Sequence, residues 1–269
     1  MLKYLFFIGV IISIIFLTFY SDNFDLPSVV NLLYETNFYY LIISIVLSYL
    51  AFYVRSIRWS FLLENEIKNV SIFSLFKINC SAAFVNLVFP IRLGELFKAI
   101  YGGELLKVSK SYLFGTIIIE RFTDVLVLTI FLLFFLDILS TNFLLLNLIY
   151  ICFILCLFIF ITLILIYNEN IFLIKFIGFS SQIFSNNIRF FLLSKTWKII
   201  KSIKNQYLKK IIFKYIFLTI LFWLVNFFVI YFILASINLE LSYEILFFTL
   251  TVCYLGLLFP SGPAFIGSV

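Results

Sequence analysis

Two groups of ionisable residues sit inside stretches that are otherwise apolar. The first reads Asn86-Leu-Val-Phe-Pro90-Ile-Arg92-Leu-Gly94-Glu95-Leu-Phe-Lys98, and the second reads Glu120-Arg121-Phe-Thr-Asp124. On a helix, Glu120 and Asp124 share a face at i, i+4, and Arg121 reaches Asp124 at i+3. In the first group Pro90 removes a backbone donor and Gly94 lowers helix propensity, so the spacing predicts a broken helix. Arg92 offers a planar fork that can grip a phosphate through two hydrogen bonds. Glu95 can pair with Arg92, with Arg121 or with a cationic ligand. An ionisable side chain inside a membrane span costs roughly 2.5–3.5 kcal/mol on insertion scales, and it must face protein or water. Such groups either staple helices together as a charge network or line a polar cavity that holds a charged headgroup or a coupling ion.

The residue types that are missing narrow the chemistry further. The chain has no histidine, which removes histidine general bases, Ser-His and Cys-His pairs and histidine metal sites. Its four cysteines, Cys80, Cys152, Cys156 and Cys253, lie in apolar segments without a C-x-x-C pair and read as small buried hydrophobes. Cys152 and Cys156 share a helix face, but two thiols alone make a poor metal site. No glycine-rich phosphate loop and no nucleophile elbow occurs. No metal and no cofactor is expected, and no polar stretch is long enough to be a soluble catalytic domain.

The elements that carry these groups follow from composition. Of 269 residues, 64% are hydrophobic and 12% charged, whereas a soluble domain is about half apolar and about a quarter charged. The mean hydropathy of +1.19 agrees, and 38 phenylalanines are more than one globular core hides. The expected fold is an all-α, polytopic membrane protein forming one domain over residues 1–269. A spanning helix needs about 20 mostly apolar residues. Segments 2–20, 38–54, 111–136, 143–167, 211–236 and 244–259 meet this closely enough to give about six spans. Residues 2–20 read as an uncleaved helix, since Thr18-Phe19-Tyr20 offers no small-residue cleavage site. The second span is expected to close at Arg55, Arg58 and Trp59, with Trp59 as an interfacial aromatic. Residues 244–259 run into a further broken element, Phe259-Pro260-Ser261-Gly262-Pro263-Ala264-Phe265-Ile266-Gly267. It echoes Phe89-Pro90, as paired interrupted segments do around transport sites.

Basic residues set the orientation. None occurs from Tyr4 to Val54, eight lie between 55 and 110, and eight more lie between 168 and 210. Both blocks are expected on the cytoplasmic side, with the loops at 21–37, 137–142 and 237–243 outside and the N-terminus cytoplasmic. Segment 71–106 then crosses zero times or twice, and a re-entrant hairpin turning at Pro90 fits best. The net charge of +6 reflects this loop bias rather than nucleic-acid binding. Residues 196–208 read as an amphipathic helix, placing Thr196, Ile199, Ile200, Ile203 and Tyr207 on one side. The lysine-rich stretch 195–210 would rest on an anionic leaflet, or serve only as a topology anchor.

Taken together these residues resemble the flippase-like membrane family that includes the transmembrane region of lysylphosphatidylglycerol synthetases. The similar features run in family order: Arg55-x-x-Arg58-Trp59, then Asn86-x-x-x-Pro90-x-Arg92-x-Gly94-Glu95-x-x-Lys98, then Glu120-Arg121-x-x-Asp124, then Pro260-Ser261-Gly262-Pro263-Ala264-Phe265-Ile266-Gly267. The resemblance covers residues 40–269. The family usually has Pro-Gly where this chain has Pro263-Ala264, and it continues with an acidic residue and further spans. A chain incomplete beyond Val269 is therefore expected. The resemblance implies a multi-pass protein of the cell (inner) membrane that handles lipid. In the synthetases this part is associated with moving the aminoacylated lipid to the outer leaflet, while synthesis belongs to a separate soluble domain. The expected function is a lipid translocase or lipid-binding protein rather than an enzyme. Arg55, Arg58, Asn86, Pro90, Arg92, Gly94, Glu95, Lys98, Glu120, Arg121, Asp124, Pro260, Pro263 and Gly267 would shape the cavity. An accessory component of glycolipid or aminoacyl-lipid synthesis, with a soluble enzyme partner, and a structural scaffold remain the alternatives.

Overall fold

The computed structural model describes residues 26–64, 66–89, 93–134, 154, 206–239 and 241–256. The described elements are all helical, in the order α1 (Leu26–Glu35), α2 (Phe38–Leu63), α3 (Ile72–Val88), α4 (Leu93–Leu106), α5 (Lys110–Leu133), α6 (Gln206–Ser236) and α7 (Tyr243–Gly256). The spans expected at 2–20 and 143–167, and most of the amphipathic helix at 196–208, lie outside the described residues. Residues 206–208 begin α6, so part of the expected basic loop is helical. The polar stretch expected as a loop at 21–37 holds α1.

Helix α2 runs nine residues past its expected end, through Arg55, Arg58 and Trp59 to Leu63. Its charges did not stop it, because counter-charges on neighbouring helices take the place of water. Trp59 is not interfacial. It has no exposed surface and donates its indole N–H to Thr116 Oγ1 at 3.0 Å. Asn37 caps α2 by accepting from the Tyr39 N–H at 3.1 Å.

Helices α2 and α6 lie antiparallel along their length. The Asn37 N–H donates to the Ser236 carbonyl at 2.7 Å, Tyr40 stacks on Phe232, and Arg58 lies over Phe222 and Tyr215. Helix α5 also runs against α2, with the Tyr112 hydroxyl donating to the Leu62 carbonyl at 3.1 Å. Between them, α3 and α4 form a hairpin whose two open ends meet the end of α2 and the start of α5. At about 1.5 Å per residue its arms are roughly 25 and 21 Å long, short of the ~30 Å hydrocarbon layer. The two arms pack against each other, so the chain folds back at the turn between them. Phe89 ends α3 in an extended conformation, φ −108° and ψ 139°, as expected of a residue preceding proline. Asn69 and Lys107, at φ 60° and 57°, turn the chain at the hairpin's base.

At the hairpin tip Gly94 lies directly on α3. A Cβ there would overlap the Ala82 carbonyl and come within 2.5 Å of Asn86 Oδ1, so only glycine lets the arms meet so closely. Two apolar clusters bracket the centre of the bundle. One joins Trp59, Leu62, Leu75, Ile78, Leu113, Ile117 and Tyr215. The other joins Val127, Leu128, Leu132, Trp223 and Leu255. On α5 the residues between the two clusters are Glu120 to Asp124.

Candidate functional site: a buried charge network

The centre of the network is the Glu120 carboxylate, about 15 Å along α5 from its start. Its Oε1 accepts from Arg55 Nε at 2.7 Å and from Arg58 Nη2 at 3.0 Å, and its Oε2 accepts from Lys98 Nζ at 2.6 Å. Four helices thereby converge, since Arg55 and Arg58 come from α2, Lys98 from α4 and Glu120 from α5, with Arg58 packed on rings of α6. One turn further along α5, Asp124 Oδ1 accepts from Arg58 Nη1 at 2.5 Å, while Oδ2 lies 3.4 Å from both Arg58 Nη2 and Arg121 Nη1. The i, i+4 acids and the i+3 arginine therefore meet as their spacing predicts.

Burial divides the network into a floor and a rim. The side chains of Arg58, Glu120, Asp124 and Lys98 are 0, 0, 1 and 2% exposed, whereas those of Arg55, Arg121 and Glu95 are 16, 23 and 25% exposed. The floor carries two cations and two carboxylates and is neutral. The rim carries Arg55 and Arg121 against Glu95, so the seven groups sum to one surplus positive charge. The expected polar cavity is thus packed with its own charged side chains at the floor, and only the rim is accessible. Buried pairs of this kind are retained only where hydrogen bonds replace the lost water, and the floor carboxylates accept on every oxygen. Lys98 also lies 4.0 Å from the Trp59 ring, a contact strengthened by exclusion of water. Within the floor Arg58 Nε is buried without a hydrogen-bond partner among the described residues.

Glu95 finds Arg121, one of its three expected partners. Its Oε1 lies 2.6 Å from Arg121 Nε, yet off the N–H axis, so that Nε makes no hydrogen bond. The contact is electrostatic and geometrically loose. Asn86 and Gly94 stand apart from the charges. The Gly94 N–H donates to Asn86 Oδ1 at 2.7 Å, which joins the two arms and satisfies a free amide at the start of α4. Pro90, Arg92, Pro260, Pro263 and Gly267 lie outside the described residues.

The sequence reading missed several supporting groups. Thr116 holds the Trp59 indole, and the Asn79 side-chain amide donates to Ser56 Oγ at 3.0 Å between α3 and α2. Tyr215 and Phe222 flank the Arg58 guanidinium, their centroids 5.8 and 5.2 Å away. Nothing in the sequence of α6 singles these two rings out among its many aromatics.

Residues 6–269 match the family described as the lysylphosphatidylglycerol synthase TM region. The chain belongs to this family. It is 28% identical over 126 residues to a UPF0104 membrane protein of Methanocaldococcus jannaschii, a match covering 46% of this chain and 38% of that protein. The matched part thus spans well under half of that relative's length. No solved structure matches the chain significantly. The chain is accordingly an α-helical membrane protein, and α2 and Ile212–Ser236 of α6 are long and apolar enough to cross a bilayer.

Proposed function

We propose that the protein binds and translocates lipids whose headgroup carries a phosphate, phospholipid or polyprenyl-phosphate, at the rim of the charge network. The observation that supports this is the combination of a neutral buried floor with a partly exposed rim, in which Arg55 is held only through Nε and Arg121 meets Glu95 without hydrogen-bond geometry, beside a broken hairpin. A phosphate would replace a carboxylate at the arginines while the acyl chains stay in lipid. Charges at membrane depth are rare and generally mark substrate pathways, and non-helical backbone there is tolerated where protein or water covers it. The protein would act as a multi-pass component of the cell membrane with its N-terminus cytoplasmic. The lysine-rich stretch 195–210 would lie on the anionic leaflet. No chemistry is assigned to the site itself, and any synthesis of the lipid would fall to a separate soluble enzyme.

The test is leaflet exposure of a fluorescent phospholipid in liposomes that hold the full chain. Changing Glu95→Gln and Arg121→Gln together keeps the net charge and abolishes the rim pair. The expected result is loss of most translocation, and undiminished activity in this double variant would sink the reading. One observation favours a scaffold instead, namely the complete pairing of the floor carboxylates. Under that reading the same variant alters stability and leaves lipid distribution unchanged.

A further inference from the structure

The arginines of the network are not equivalent. Arg58 spends both terminal nitrogens on Asp124 and Glu120, and its side chain has no exposed surface. Arg121 faces Glu95 at 2.6 Å, so an incoming anion meets a carboxylate beside it. Arg55 differs from both. Its one recorded bond is made by Nε to Glu120 Oε1 at 2.7 Å, and the side chain is 16% exposed. The Nε bond fixes the plane of the guanidinium, and the Nη1 and Nη2 edge is left without a partner among the described residues. A guanidinium held through Nε presents a preset two-donor edge, the geometry that grips a phosphate or carboxylate bidentately.

Charge counting agrees from a separate direction. Arg55, Arg58, Lys98 and Arg121 stand against Glu95, Glu120 and Asp124, an excess of one positive charge. A single monoanion brings these seven described groups to neutrality, which a low-dielectric site favours. A zwitterionic headgroup leaves the excess in place.

We propose that Arg55 is the anion-reading residue of the network, that Glu120 is the positioning residue which aims it, and that the site takes one phosphodiester monoanion in preference to a zwitterion. Arg58 and Lys98 are then structural cations of the floor. This assignment rests on the lipid-handling reading above and narrows it to one side chain and one headgroup charge.

The test uses the purified full chain in detergent and measures binding of short-chain phosphatidylglycerol and short-chain phosphatidylcholine, with thermal unfolding alongside. The parent is expected to bind phosphatidylglycerol about 10-fold more tightly than phosphatidylcholine, one charge-assisted contact's worth. Arg55→Gln should erase that preference while unfolding within a few degrees of the parent, and Arg55→Lys should restore part of it. A parent that prefers phosphatidylglycerol and an Arg55→Gln variant that keeps the preference overturn the assignment and leave lipid binding standing. A parent that binds neither lipid overturns both readings. Equal binding of the two lipids by the parent overturns the monoanion preference alone.

Discussion

Replacing Glu120 by glutamine removes one negative charge and almost no volume. Three donors lose their common carboxylate, Arg55 at 2.7 Å, Arg58 at 3.0 Å and Lys98 at 2.6 Å. They are not hurt equally. Arg55 reaches the accessible rim, and Arg58 keeps Asp124. Lys98 is 2% exposed and has no other ion pair among the described residues, so the loss falls on it. Stranding a buried charge in this way costs about 3–5 kcal/mol. At about 2–4 °C per kcal/mol for a chain of this size, the unfolding midpoint should fall by roughly 6–20 °C. Glu120→Gln combined with Lys98→Gln removes the stranded charge as well and returns the network to its original sum. The double variant should recover at least about 2 kcal/mol relative to the sum of the two single changes. The assay is thermal unfolding in detergent followed by a thiol-reactive dye, which reads the half-buried Cys80 and Cys253 as they become more exposed. A Glu120→Gln midpoint within about 2 °C of the parent would refute the reasoning, as would strict additivity of the two changes.

Gly94→Ala should destabilise the protein by about 1–3 kcal/mol, because the new methyl meets the Ala82 carbonyl, and backbone cannot step aside. At Gly102 the nearest atom is the tip of Leu113, 3.2 Å away, so Gly102→Ala should cost under about 1 kcal/mol; proteolytic stability in detergent ranks the two. Single cysteines placed at Lys68 and at Glu104, near the base of the hairpin, should react with an impermeant thiol reagent from one side of sealed vesicles, and a cysteine at Asn238 from the other. Labelling of positions 68 and 104 from opposite sides would show that the hairpin crosses the membrane.

The hairpin was legible because its signals are local. Proline interrupts a helix wherever it stands, and α3 ends at Val88, two residues before Pro90, with α4 beginning at Leu93. The Glu120, Arg121 and Asp124 face was legible for the same reason, since i+3 and i+4 neighbours meet on any helix. What was not legible depends on distant partners. The residues alone placed Arg55 and Arg58 at the end of α2, because an arginine without a visible partner belongs in water; only the family resemblance put them at the cavity, since their partners lie 62 to 66 residues away. Trp59 was placed at the interface by the same logic, whereas it is buried by the apolar cluster around it together with Thr116 and Lys98 from two other helices. Asn86 was read as a cavity-lining polar group, and its bond to the Gly94 amide was not foreseen. That role needs knowledge of how closely the two arms approach.

The separation between the arginines of α2 and their carboxylates also bears on how the protein is made. Arg55 is synthesised 65 residues before Glu120, and Arg58 66 residues before Asp124. At roughly 5–20 residues per second, α2 exists for some 3–13 seconds before its counter-charges emerge from the ribosome. Over that interval each guanidinium carries a penalty of about 2.5–3.5 kcal/mol against lying at depth. A shallow position at the headgroups, or shelter by the insertion machinery, would avoid that penalty until α5 supplies the carboxylates. Lys98 is translated between α2 and α5. Full assembly also needs α6, translated later still, whose Tyr215 and Phe222 pack on Arg58, and neutralising Glu120 should first be felt when α5 meets α2, in nascent chains that stall before they assemble.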